Sequence, residues 1–344
     1  MEKKDASLEK EPLLSEPGLR SILGQPDAVE FLFRAMKSER LATCLLFEGA
    51  DGVGKERCAR ALAQCLLCEQ PLANHDACGS CRSCRLVSVG QHPDVIVLAK
   101  DVDVLTQKEQ SESDAKSEIT IDKVRTLQSE RLAYFAHTNA RIIIVRDAHE
   151  LNGPSANALL KTLEEPPTNT HFILLTHRPS ELLLTVKSRS QRVRFGSLAA
   201  EHIESILRSR GADPSRMPEL VQWADGSAAR GFEAMRGDVL SVRRGWVEQT
   251  LSALRAGKPG AVVELSESLS KYCKTLDGEL EAILHLLERH FRDEAIEHAS
   301  DSKRALVCAA RSQFVRQTAV TLDRNANAQI AIEAMLVRLR EVRA

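Results

Sequence analysis

The chain has 344 residues, 43% hydrophobic, 28% charged and 4% aromatic; 47 Lys+Arg against 48 Asp+Glu leave a formal net charge of -1. The length suggests about two or three domains with cores of their own, and the charge balance excludes a polybasic nucleic-acid tail and an acidic disordered chain. Few aromatics beside abundant Leu, Ala, Glu and Arg point to a helix-rich protein.

The charged stretch Met1–Pro12 lacks the apolar core of a signal peptide. The longest apolar runs, Ile142–Val145 and Leu182–Leu184, fall far short of the roughly 18 residues a membrane helix needs. The protein is therefore expected to be cytoplasmic, where thiols stay reduced. Residues 1–20 read as a flexible lead-in. Ala28–Arg40 places Val29, Leu32, Phe33 and Met36 on one helical face, and Thr43–Glu48 reads as a buried strand ending at Gly49. A helix follows over Gly54–Leu67, then a strand over Asp94–Leu98. The polar segment Gln107–Glu118 reads as a surface loop. Ile121–Leu132 is amphipathic. Arg141–Val145 and His171–Thr176 are two more buried strands, with the helix Ser155–Leu163 between them and a helix-like Ser180–Val186 after them. Strands alternating with helices predict an α/β fold with a parallel sheet. After Phe195 the strand signal stops. Ala199–Arg210, Met217–Trp223 and Ala228–Met235 read as short helices, and from Val239 onward the chain is helical, with core-facing stripes at Leu280, Ile283, Leu284, Leu287, Phe291 and at Ile332, Met335, Leu336, Leu339.

Gly49-Ala50-Asp51-Gly52-Val53-Gly54-Lys55 joins a strand to a helix, the context of a phosphate-binding loop. Gly49, Gly52 and Gly54 let backbone N–H groups curl around phosphate oxygens, and Lys55 neutralises charge. The next residue should carry a hydroxyl for magnesium; here it is Glu56. The strand Arg141–Val145 should lead into paired acids, but Arg146 takes the first place and only Asp147 remains. These departures predict a site that does not hydrolyse ATP by itself, while leaving nucleotide and magnesium binding open. Cys68, Cys78, Cys81 and Cys84 follow the spacing C-x9-C-x2-C-x2-C, which predicts a structural zinc with all four positions filled by thiolates. Cys44, Cys58, Cys65, Cys273 and Cys308 read as core thiols. Arg82 and Arg85 lie near the cluster without an aromatic platform, which disfavours a stand-alone zinc-dependent DNA reader.

Together the phosphate loop, the four-cysteine insert, His92-Pro93-Asp94, Ile119–Arg125, the run from Ala156 to Pro167 ending Leu163-Glu164-Glu165-Pro166-Pro167, Ser188-Arg189-Ser190, and Asp323-Arg324-Asn325-Ala326-Asn327 carry a resemblance. The chain resembles the delta-prime subunits of bacterial DNA polymerase III, in the clamp-loader branch of the AAA+ proteins, from about Ser21 to its end. The resemblance implies a RecA-like AAA+ domain over 21–196 with a zinc module at about 68–84, a helical lid over 197–238 and a helical oligomerisation collar over 239–344. It implies a pentameric ring with gamma/tau and delta subunits that uses ATP to set a sliding clamp on primer-template DNA. Within that ring it implies a non-hydrolysing scaffold whose Arg189 serves as an arginine finger for a neighbouring ATPase. Ser190 stands where the family's Ser-Arg-Cys motif has cysteine. The lid arginine of active relatives should fall at Ala229, and Arg230 comes one residue late. The alternative is an active gamma/tau-like motor subunit, which residues 56 and 146 disfavour.

Overall fold

The computed structural model describes residues 16–111, 118–236, 239–256, 259–273, 279–322 and 327–342. It comprises two compact units, Met1–Met235 and Arg236–Ala344. Most of the 1–20 lead-in, residues 112–117 of the polar loop, and Asp323 to Ala326 lie outside the described residues. Leu19, near the end of the lead-in, is fully buried.

The first unit opens with α1 (Pro26–Lys37), β1 (Cys44–Glu48), α2 (Lys55–Leu67), α3 (Arg82–Ser88) and β2 (Val95–Leu98). It continues through α4 (Ile121–Thr126), β3 (Arg141–Val145), α5 (Gly153–Glu164), β4 (Thr170–Thr176), α6 (Leu184–Ser188) and β5 (Gln191–Arg194). The five strands form one parallel sheet in the order β2-β3-β4-β1-β5. This is the parallel α/β sheet that the alternation of strands and helices predicts, and the phosphate loop leaves its β1 strand between β4 and β5. β1, β2 and β3 are buried along their whole length, as expected of strands covered on both faces. Their side chains alternate between two cores. Leu45, Phe47, Ile142 and Ile144 meet α1, α2 and the cysteine insert. Cys44, Leu46, Ile143 and Val145 meet α4 and α5 on the other face.

Three local expectations need correction. The helix expected over Ile121–Leu132 divides into α4 and a wider π-type turn, Leu127–Leu132. The helix expected over Ser180–Val186 forms later, as α6. β5 is a strand with no apolar run to announce it: Gln191, Arg192 and Arg194 are exposed and Val193 alone is buried, the charged pattern that protects a sheet edge.

Three helices complete the first unit: α7 (Ala200–Ser209), α8 (Met217–Ala224) and α9 (Ala228–Met235). The start of α9 and the segment ahead of α7 are both tied to the phosphate loop. Ala228 N donates to Gly52 O at 2.9 Å, and Gln25 Nε2 donates to Val53 O at 3.2 Å and Gly196 O at 2.7 Å.

The second unit is built of α10 (Val239–Ala256), α11 (Pro259–Cys273), α12 (Glu279–Glu297), α13 (Ser302–Leu322) and α14 (Ala328–Glu341). The apolar stripes of α12 and α14 meet in its core: Ile283, Leu284, Leu287 and Phe291 with Ile332, Met335, Leu336 and Leu339. A buried ion pair joins Arg243 of α10 to Glu279 of α12, with contacts of 3.0 and 2.8 Å. Asn327 caps α14 by accepting from Ile330 N. Among the described residues no helix is long and apolar enough to cross a membrane.

Candidate functional site

The phosphate loop borders a cleft of about 780 Å³ that reaches from Lys55 and Asp147 to Ala229 and Phe232 of α9. Gly52 has φ +72°, and a Cβ there would meet Ser227 Oγ at 2.1 Å and Ala229 Cβ at 2.6 Å. The backbone therefore turns left-handed where the helical segment closes on it, a conformation that glycine supplies at least cost. Lys55 Nζ donates to Gly49 O at 2.8 Å and to Ala50 O at 2.6 Å. Burial lowers its pKa, against the raising influence of Asp51 and Asp147.

The two unexpected residues of this cleft are both paired. Glu56 Oε1 accepts from Arg60 Nε at 3.0 Å and Nη2 at 2.6 Å, one helical turn on, which draws the carboxylate back along α2. Arg146 donates through Nη2 to Asp101 Oδ1 at 2.6 Å. Burial opposes the Arg146 charge, but Glu56 and then Asp101 outweigh it and hold its pKa above the ordinary value. The register Leu98↔Val145 sets the loops after β2 and β3 side by side and makes this pair possible. Arg230 turns its Nε to Ala224 O and its Nη2 to Asp225 O, at 3.1 and 2.7 Å, while Ala229 lines the cleft.

The four cysteines converge. Their Sγ atoms all lie within 4.8 Å of one another, and Cys78 Sγ is 3.9 Å from Cys84 Sγ. Sulfurs about 2.3 Å from a shared tetrahedral ion stand about 3.8 Å apart. Backbone N–H groups of Cys81 and Cys84 approach Cys78 Sγ and Cys81 Sγ, each at 3.4 Å. The Cys81 N–H is the main influence lowering the Cys78 thiol to about 6, which favours the thiolate form a metal requires. Gly79 inside the knuckle has φ +74°. The cluster fits a structural metal site.

Nothing along the chain announces what anchors this insert. Buried Asp76 accepts from Leu19 N at 2.8 Å and Ala77 N at 2.9 Å, and Cys65 Sγ donates to it at 3.2 Å. Cys65 is thus more than a core thiol. Gln64 Nε2 donates to Cys84 O at 2.9 Å, and Gly18 N donates to Gln64 Oε1 at 2.8 Å. The short helix α3 was also unannounced; Cys81 caps it. Cys44, Cys58 and Cys308 are buried as expected, and Cys273 is half-buried.

Two motifs of the resemblance prove to be local braces. Asp94 accepts from His137 N, Thr138 N and Thr138 Oγ1 at 2.7–2.9 Å, fixing the turn before β3. Lys123 Nζ donates to the carbonyls of Ala99, Lys100 and Val102, shaping the loop after β2. Gln107, expected in a surface loop, accepts from Val97 N at 2.7 Å and lies along β2. Arg189 caps α6 and is exposed. Its Nη2 meets Glu164 Oε1 at 2.5 Å and its Nη1 donates to Thr185 O at 3.1 Å, so the Leu-Glu-Glu-Pro-Pro stretch and the Ser-Arg pair meet in space. Arg189 is not among the residues lining the cleft.

A further group escaped the sequence reading. Asp147, with φ +44°, lies beside His149 and His177. His177 Nδ1 is 3.4 Å from Asp147 Oδ1, and the two imidazole rings pack edge to face at 4.3 Å. Burial, reinforced by His177, pushes His149 down to about 4.

The profile of the family described as "DNA polymerase III, delta subunit" matches residues 24–199, just over half of the chain. The DNA polymerase III subunit delta' of Pseudomonas aeruginosa is 29% identical over 312 residues, covering 86% of this chain and 91% of its own. The same subunit of Escherichia coli is 36% identical over 165 residues, covering 48% of this chain and 45% of its own. The DNA polymerase III subunit tau of Escherichia coli is 31% identical over 212 residues, covering 60% of this chain and 30% of its own. With the parallel sheet, the loop after β1 and the cysteine insert in place, the chain belongs to the DNA polymerase III delta-prime subunit family.

Proposed function

We propose that this chain is a non-hydrolysing member of a clamp-loader ring formed with gamma/tau and delta subunits, and that it supplies Arg189 to the ATP site of a neighbour. The observation that carries this reading is the pairing inside the cleft. Arg146, where an acid should hold magnesium, is locked to Asp101, and Glu56, where a hydroxyl should be, is locked to Arg60. Lys55 and the loop glycines could still bind nucleotide, with magnesium poorly held.

Arg189 suits action on a neighbour. It lies away from its own cleft, and its partner Glu164 is about half exposed. An exposed ion pair of this kind is worth about 0.2–1 kcal/mol, little to give up when a phosphate is offered instead. A guanidinium aimed at a γ-phosphate stabilises charge that develops during transfer, an effect on the order of 10³–10⁵ in rate. The second unit would serve as the collar; α12, α13 and α14 expose Ile296, Leu306 and Ile330 beyond the needs of its core. The cysteine cluster would hold zinc as a structural ion.

The test is reconstitution of the ring with wild-type motor subunits and this chain alone mutated. Arg189→Ala should assemble normally and slow clamp- and DNA-stimulated ATP hydrolysis, with nucleotide affinity changed less than rate. Arg189→Lys should rescue poorly, because it lacks the planar fork. An unchanged rate per complex would remove the finger role. ATP turnover by the isolated chain that Lys55→Ala abolished would favour a motor subunit instead. A chain ending at residue 238 that still joined the ring would remove the collar role.

A further inference from the structure

β3 and β4 are parallel neighbours in the register Val145↔Leu174. Asp147 therefore leaves the sheet beside Thr176 and His177, with His149 one short turn further on. The carboxylate and the two imidazoles offer ligand atoms that all lie within 4.8 Å of one another. His149 Nδ1 lies 3.2 Å from Thr176 Oγ1. The nearby cation Lys100 is paired with Glu150 at 2.7 Å.

His177 supplies an independent sign. Its Nδ1 is shut off from solvent and has no hydrogen-bond partner, although Asp147 Oδ1 lies 3.4 Å away. A nitrogen and an oxygen each about 2.1 Å from a shared tetrahedral ion stand about 3.4 Å apart, their lone pairs turned to the ion rather than to each other. The separation and the missing alignment are both what two ligands of one ion would show.

We propose that Asp147, His149 and His177 bind a divalent transition-metal cation of the zinc class at the carboxyl ends of β3 and β4. Two imidazoles and one carboxylate select a borderline ion such as Zn²⁺ over Mg²⁺, which prefers an all-oxygen octahedron. Three protein ligands leave one coordination position open, unlike the closed four-thiolate cluster. The Thr176 hydroxyl sets the orientation of the His149 ring, as outer partners of metal-bound histidines do. This site does not depend on the ring role of the chain or on the cysteine cluster being filled.

The full-length chain is dialysed to equilibrium against buffered free Zn²⁺ and its metal content per chain is measured. His149→Ala and His177→Ala should each hold one zinc fewer than wild type. Cys81→Ser should lose a different zinc, so its losses add to theirs in the double variants. Thr176→Val should keep the site but weaken it about 10- to 100-fold. Circular dichroism of each variant should match wild type. Equal metal content in wild type and both histidine variants would overturn the proposal and leave a hydrogen-bonded cluster only. Occupancy by Mg²⁺ at the same free concentration would overturn the assigned class of ion.

Discussion

The phosphate loop and the cysteine insert are joined by a single helix, α2, yet they have kept different things. The loop keeps its frame: three glycines, a lysine with its amine on the loop carbonyls, and a helix N-terminus. What it has changed is the chemistry, at Glu56 and Arg146. The insert keeps its chemistry, four sulfurs within 4.8 Å, while its frame is improvised from Asp76, Gln64 and the segment Pro17–Leu19. A phosphate site depends on the placement of a few charges, so one pairing such as Arg146–Asp101 redirects it without disturbing the sheet. A four-thiolate site has no such latitude, because the ion itself would hold the fold.

The largest test of this contrast is removal of one sulfur. Cys81→Ser should release the metal and open residues 68–88 to hydrogen exchange, with the sheet still protected. Structural zinc contributes on the order of 10–16 kcal/mol in small zinc peptides; zinc-free wild type with the same protection would mean that hydrogen bonds alone hold the insert. Gly52→Ala comes next. At φ +72° and with Ser227 Oγ in the way, it should cost about 1–3 kcal/mol and loosen α7–α9 from the loop, seen as faster exchange at Ala228 N. A full set of wild-type exchange rates would show the loop frame to be dispensable.

Restoring the lost chemistry should have a smaller effect. Glu56→Thr with Arg146→Asp returns a hydroxyl and an acid to the cleft, and should raise magnesium-dependent nucleotide affinity about tenfold, near 1.4 kcal/mol. Titration calorimetry with and without Mg²⁺ would read it; no magnesium dependence in the double variant would mean the frame has drifted as well. The smallest change in binding is expected of Arg60→Ala. Its pair with Glu56 is an i,i+4 helix contact with a buried arginine, and truncation of the packed stem lowers stability. Phosphate-bearing ligands should bind more weakly once Glu56 is released toward the loop, and equal binding would show that Glu56 stays clear without Arg60.

The sequence was enough to determine the elements that are apolar along their length. Cys44–Glu48 and Arg141–Val145 could be buried nowhere but in a sheet covered on both faces, and the cysteine spacing specified a metal cluster because two knuckles leave few other uses for four reduced thiols. It also identified Glu56 and Arg146 as departures, since a phosphate loop fixes which residue type stands at each offset. The tertiary structure decided everything that depends on register. β5 is a strand because Leu45 to Glu48 offer it hydrogen bonds and Glu48 pairs with its Arg192 and Arg194, not because Gln-Arg-Val-Arg favours one. Arg146 meets Asp101, Arg189 meets Glu164, and Asp147 meets His177 across gaps of 25 to 45 residues that carry no local signal. Hydrophobic period is a property of neighbours along the chain. The meeting of polar side chains at strand ends is a property of which strands lie side by side, and only the folded sheet fixes that.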